Sequence, residues 1–550
     1  VSRAVNRRIF LAGAAAASLG LLGEPAVAAA APGPGAGAAA ANAPKPVSRR
    51  PLRIPDVSVR NAARNDPTEA TIAEAVTLIR NRRLTAAELI EAQLDRISRF
   101  DDTYLAFNSV TAAAARSRAR AIDRLPREHR PALSGVGLCI KDNYFTAGVP
   151  TTANSFIFQD FVPDFDATSV ARLAAAGGIM LGKGQMGPLA TTRATKPNGE
   201  ITTVNAWTPA DPSVDPGGSS TGPATAVAGR MATSSIGTQT GGSIVLPSNQ
   251  QNLTGLKPTM GRTSVHGVIP LSYTRDHSGP LARDALDAAI MLTVMAGPDA
   301  ADPRTLGLPD VPALITSALP VRRKGRTVLR RRTKIGVPPD YLSVTGPALA
   351  IRSAFLDQLS SIGDAELVEV GYPDDWDLLT GTFNAIRLSE RTEPFLDYLK
   401  SDPQLFGVSL LSWLQGVLLS GDEWITGQRA KNHLLREVLD GMLTQADVVL
   451  QTGPVAFDIL GLPEIGFPIG FASDGTTGPV GTPVGTILGG APYEEDRLLE
   501  VVAAYQAVTD WHTTRPADPV LPDSAGQPRS RSALSTASRL TPEEALAASN

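Results

Sequence analysis

One cysteine, Cys139, stands among 550 residues. That excludes an internal disulfide and any metal site built from several thiolates. Histidine is nearly as scarce, at five, and no HExxH, EF-hand or paired Cys/His spacing occurs anywhere. No metal or other cofactor is expected. An excess of one charge is missing too. The 51 Lys and Arg against 54 Asp and Glu leave a formal net charge of −3, which gives no reason to expect nucleic acid or an anionic membrane surface as partner. What is abundant is glycine (50) and proline (44), the mark of many tight turns rather than a repetitive polymer. Cys139 lies in the apolar run "GVGLCIK" and reads as a buried structural residue.

The N-terminus carries an address. Arg7 and Arg8 precede an apolar stretch from Ile9 to Leu22, followed by Glu24-Pro25 and a run of small residues. Residues 1–31 therefore read as an export signal, and the paired arginines with Phe10-Leu11 look like a twin-arginine signal. The twin-arginine export machinery is an expected partner, and the cell envelope or exterior the expected location. The apolar stretch is too short and too soon interrupted to span a membrane, so no stable membrane anchor is expected. A flexible leader follows over 32–67, then a single domain over 68–515 with a variable insertion at about 300–440. The tail, 516–550, is rich in Ser, Pro and Ala and reads as peripheral.

Within the domain, "EATIAEAVTLIRNRR" and "LTAAELIEAQLDRISRF" read as consecutive helices, the second opened by a capping box from Thr85 to Glu88. Ala86, Ile90, Leu94 and Ile97 then recur at helical spacing. "AAAARSRARAIDRL", "GPATAVAGRMA", "ALDAAIMLTVMAG" and "LLEVVAAYQAVTDWH" predict further helices, while "GVGLCIKDN", "KIGVP" and "AELVEVGYP" predict strands. "TSVARLAAAGGIMLGKG" reads helix, turn, strand. This alternation argues for an α/β sheet covered by helices on both faces. The arginine run "RRKGRTVLRRRTK", 322–334, is expected to be a solvated loop.

Chemistry concentrates in two glycine-rich clusters, "DPGGSST" with Ser219 and Ser220, and "TQTGGSI" with Ser243. Glycines beside a serine let backbone N–H groups converge on a ligand, as a tetrahedral oxyanion requires. Gly218 to Gly222 match GxSxG, but that elbow needs a preceding strand, and "TPADPSVDP" is too rich in proline to form one. The other activator of a serine is a neutral lysine. Lys141, at the end of an apolar run, is the best candidate, because burial favours the uncharged amine. On spacing alone, a surface lysine with its stem laid over apolar neighbours fits better.

A resemblance goes further. "GVGLCIKDNYFTAGVPTTANS", "DATSVARLAAAGGIMLGKGQM", "DPGGSST", "GTQTGGSIVLPSNQQNLTGLKPTMGR" and "LGLPEIGFPIGF" with "GTPVGTILGGAPYEEDRLL" resemble, in order and over about 70–515, the amidase signature family. The resemblance implies that family's fold, a large mixed β-sheet with helices on both faces, and hydrolysis of a carboxylic amide on a small molecule or peptide. It implies Lys141 as general base, Ser219 as a bridging serine after a cis peptide at Gly218–Ser219, and Ser243 as nucleophile forming an acyl-enzyme. Thr240, Gly241, Gly242 and Ser243 would supply oxyanion-hole N–H groups; Met186, Gly187 and Ser220 would line the substrate pocket. Esters or carbamates suit the same chemistry, and the family includes an amidase component of a larger assembly. Homodimerisation is left open, as is the substrate, whose pocket walls are expected to include "NAIRLSERTEPFLDYL".

The sequence also departs from the family. Where the pattern reads "GTDTGGSIR", this chain has Gln239 and Val245 at the Asp and Arg positions. Losing both together avoids stranding one buried charge, and Gln239 keeps the capacity to hydrogen-bond backbone. Thr221 likewise stands where the pattern has glycine.

Overall fold

The alternating stretches assemble into a sheet whose two faces are both buried. The computed structural model describes residues 52–379, 382–521, 532, 534 and 537–548; the expected export signal lies outside them. Residues from Ile54 onward form a compact unit. Its strands are β1 (Phe107–Val110), β2 (Gly137–Lys141), β3 (Ile179–Gly184), β4 (Ser234–Gln239), β5 (Thr254–Lys257), β6 (His277–Ala282), β7 (Val321–Arg323), β8 (Arg326–Val337), β9 (Gly363–Glu369), β10 (Val448–Gln451), β11 (Glu464–Phe471) and β12 (Pro483–Gly490). They join one sheet in the order β1-β3-β2-β4-β6-β5-β11-β12-β10-β8-β7, with β9 on β8. β2 lies parallel to both β3 and β4, whereas β6 runs antiparallel to β4 and β5. The sheet is mixed, as expected.

Side chains on a strand alternate between faces, and β10 shows where each set goes. Val448 and Leu450 pack with the helices Ala285–Met295 and Glu495–Gln506. Val449, between them, packs with Ile386, Leu434 and Val438 from other helices. Helices therefore cover both faces here. The helices expected between 72 and 123 form over Ile72–Arg80, Ala86–Tyr104 and Ala112–Asp123, and the Thr85–Glu88 capping box is made from both sides.

Four sequence readings need correction. The arginine run is no loop: β7 and β8 form a hairpin across it. Lys324 (φ +50°) and Gly325 (φ +80°) make its two-residue turn, both with the positive φ such hairpins favour. Within β8 the buried Val328, Leu329 and Ile335 outweigh the exposed arginines. The stretch 300–440 is more than an insertion, since β7, β8 and β9 belong to the main sheet. Order begins before residue 68, with a helical turn at Asn61–Asn65 and Arg60 bound to Glu74 at 2.8 Å. The tail is anchored at Asp518, which pairs with both Arg96 and Arg230.

Candidate active site

β2 ends on Lys141 beside β4, and every residue of both strands is buried. A lysine there has no path for its ammonium to reach water. Lys141 is fully buried, and its Nζ donates to Ser219 Oγ at 2.8 Å and to Thr238 Oγ1 at 2.8 Å. Burial pushes it well below its ordinary 10.5, against the opposing influence of the Asp276 charge. Among the described residues no carboxylate pairs with it. Lys183, buried on β3, differs: Asp142 stands 3.4 Å from its Nζ. Lys141 is therefore set up to be a neutral amine.

Ser219 is held by close backbone packing. A Cβ on Gly218 would fall 2.6 Å from the Arg193 backbone, and one on Gly217 (φ +77°) would fall 2.4 Å from Pro247 Cα. The peptide between Gly218 and Ser219 is cis. No strand precedes it among the described residues 202–216, in keeping with setting the GxSxG elbow aside. Thr221, where the family pattern has glycine, donates to Gly217 O at 2.9 Å and accepts from Ala194 N at 2.9 Å, so its hydroxyl ties the loop together.

Ser243 lies in the turn between β4 and the helix Val245–Gln250 and is partly exposed, unlike Lys141 and Ser219. Among the described residues no hydrogen bond joins Ser243 to Ser219, and no histidine bonds to either serine. The backbone N–H groups of Gly241, Gly242 and Ser243 have no acceptor among the described residues, which leaves them free to donate to an oxyanion. Thr240 supports the loop from its other groups. Its hydroxyl donates to Asp276, and its carbonyl accepts from Arg275 at 2.6 Å.

The strand period sends neighbours Thr238 and Gln239 to opposite faces. Thr238 meets Lys141, while Gln239 reaches behind the loop. Its amide oxygen accepts from Ile244 N at 2.8 Å and Val245 N at 3.1 Å, and its amide nitrogen donates to Glu464. Gln239, uncharged where the family pattern has Asp, thus hydrogen-bonds the backbone, as the sequence reading expects. Val245 is fully buried against Gly466 of β11.

Of the expected pocket residues, Met186 is buried and Gly187 N donates to Ser219 O at 3.3 Å, which sets that segment beside Ser219. Ser220, also expected there, is fully buried and donates to Thr238 O at 3.3 Å, which braces β4. Sequence reasoning missed Thr238, Asp276 and Arg275. The alternation along "GTQT" was the available signal for Thr238. Asp276 and Arg275 reach Thr240 from a distant loop, and no spacing rule points to them. Cys139, fully buried with its thiol pushed well up by burial, is structural as expected.

Comparison with known proteins places this geometry. The Amidase family model matches residues 88–414. The chain is 31% identical over 499 residues to a glutamyl-tRNA(Gln) amidotransferase subunit of Methylococcus capsulatus, covering 81% of this chain and 98% of that one. It is 32% identical to the same-named subunit of Chloroflexus aurantiacus, with 81% and 98% covered. Among solved structures, peptide amidase bound to the competitive inhibitor chymostatin superposes with TM-score 0.70 at 26% identity, covering 82% of this chain and 99% of that one. Native peptide amidase from Stenotrophomonas maltophilia gives 0.68 at 27%, with 82% and 98% covered. With a buried lysine on a serine, a glycine-rich serine loop and these relatives together, the chain belongs to the amidase family and is a hydrolase acting on carbon–nitrogen bonds.

Proposed function

We propose that the chain hydrolyses carboxylic amides through an acyl-enzyme on Ser243, with Ser219 and Lys141 as a proton relay. The observation that carries this reading is the 2.8 Å bond from the fully buried, carboxylate-free Lys141 to Ser219 Oγ. Neutral Lys141 takes the proton of Ser219 as Ser219 takes that of Ser243, whose oxygen attacks the amide carbonyl. The N–H groups of the loop 240–243 receive the developing oxyanion. Ser219 returns a proton to the departing nitrogen and the amine leaves. Water, activated by the same relay, then releases the acid and restores Ser243. Met186 and Gly187 flank the acyl group.

The test is turnover of a panel of amides, peptide C-terminal amides among them, each beside its matched ester. Amine release that vanishes in Ser243→Ala supports the proposal; ester cleavage without amine release makes the chain an esterase. Export through the Arg7-Arg8 segment is also proposed, on its sequence alone, and replacing both with lysine is expected to retain the enzyme inside the cell. The relatives named as amidotransferase subunits favour a second reading, action within an assembly; a solitary elution position and full activity of the purified chain would remove it.

A further inference from the structure

Beside the serine loop lies a group of cations that the proton relay does not use, Arg275 and Arg391 buried, Arg387 and Lys431 half-buried. Arg387 and Arg391 stand four apart on the helix Thr382–Thr392, hence on one face. Glu390 of the same helix accepts from Ser272 Oγ at 2.6 Å and Thr274 N at 2.9 Å. That clamps the helix to the segment carrying Arg275. Lys431, from the helix Gly421–Glu437, donates to Thr274 O at 3.0 Å.

Arg275 links this group to the loop of Ser243. Its guanidinium donates to Thr240 O at 2.6 Å, and a Cβ on Gly241 would come 3.8 Å from that same nitrogen. The only carboxylate paired with Arg275 among the described residues is Asp458, at 3.4 Å. Arg391 has still less. It is 3% exposed, its guanidinium lies 5.0 Å over the Trp413 ring, and it makes no ion pair or hydrogen bond among the described residues. Burial, with the charges of Arg387 and Arg275, pushes it down to about 9. The nearby acids, Asp458 and Glu390, act on Arg275, Arg387 and Lys431, which leaves Arg391 as the buried guanidinium they do not meet. A buried cation without an anion is costly, and guanidinium geometry matches a carboxylate with two parallel bonds.

We infer that Arg391, with Arg275 and Arg387, binds a carboxylate carried by the substrate, so that the class of amide taken is one bearing a second, anionic group. This rests on the amide-hydrolysis reading for the other end of the substrate. The acid product of such a monoamide is a dicarboxylate, which makes succinate, glutarate and adipate suitable probes.

The experiment titrates each dianion into the full chain at constant ionic strength, with tryptophan fluorescence reporting through Trp413, and uses the neutral diamides as controls. A saturable change with at least one dianion, absent with its diamide and weakened about tenfold or more in Arg391→Gln, is expected. Should Arg391→Gln fail to fold, Arg387→Gln serves, with the same loss expected. No saturable change with any dianion, or equal affinity in the folded variant, overturns the inference. Ser243→Ala is carried alongside. If it binds glutarate as the parent does while the parent cleaves no amide, the anion site stands and the amidase reading falls. If the parent cleaves diamides but binds no dianion, the reverse holds.

Discussion

Glu464, on β11, has no exposure, and it bonds directly to the residue that holds the serine loop. It accepts from Gln239 Nε2 and, at 3.2 Å, from Gln451 Nε2. Burial pushes its carboxyl from 4.5 up to about 8, with the Lys257 charge pulling the other way. The folded protein therefore keeps this proton after the unfolded chain has released it. The resulting stability is complete below about pH 4.5 and is lost as pH rises through about 8. At about 1.4 kcal/mol per unit of pH, the interval from pH 5 to pH 8 amounts to about 4 kcal/mol. Glu464→Gln removes the titration while nearly preserving the shape. The new amide oxygen accepts from Gln239, and its NH2 meets Gln451 Oε1, which has no partner among the described residues, once the Gln451 amide turns over. With an unfolding entropy of about 2 cal/mol/K per residue, a chain of roughly 500 ordered residues shifts its Tm by about 1 °C per kcal/mol. Melting followed by circular dichroism is thus expected to show the variant gaining about 4 °C on the parent between pH 5 and pH 8. A difference that stays flat across that interval, or shrinks, refutes the assignment of a raised pKa to Glu464.

Other perturbations probe the relay and its loop. Lys141→Ala is expected to lower turnover by about 10²- to 10⁴-fold, the range for losing a general base, with unchanged far-UV circular dichroism. In the proposed relay Lys141 acts as the neutral amine, so activity is expected to fall as pH drops through its depressed folded pKa. Asp276 opposes that depression, so Asp276→Asn is expected to move the acid limb of kcat/KM to lower pH, and a limb moved upward contradicts the assignment. Gly242 has φ +110°, and a Cβ there would fall 2.7 Å from both Leu246 Cδ1 and Pro454 Cγ. Gly242→Ala is expected to cost about 1–3 kcal/mol in urea denaturation and to lower kcat through the displaced loop.

Much of this architecture was legible in the sequence because local chemistry set it. The Thr85–Glu88 box marks a helix start by its own reciprocal bonds, and "GVGLCIK" is a strand buried on both faces. Lys141, Ser219 and Ser243 were singled out together only by the resemblance; spacing alone left Lys141 ambiguous, because its burial is set by tertiary packing. The arginine hairpin was misread because its dense positive charge hid the buried Val328, Leu329 and Ile335 and a Lys-Gly turn. Adjacency to Ser219 said nothing about the direction of the Ser220 side chain: the loop turns its hydroxyl onto the Thr238 carbonyl of β4. Asp276 and Arg275 come to Thr240 through tertiary packing, from the loop that follows β5. No pattern in one sequence encodes that meeting.

The central claim is that Ser243, relayed through Ser219 to Lys141, carries the acyl group. Mass spectrometry of peptides from the chain treated with an acyl-mimicking fluorophosphonate tests it most directly. The account predicts one adduct, on Ser243, that is absent in Ser243→Ala and forms far more slowly in Lys141→Ala. An adduct on Ser219 instead, or labelling of Ser243 at an undiminished rate without Lys141, would contradict it.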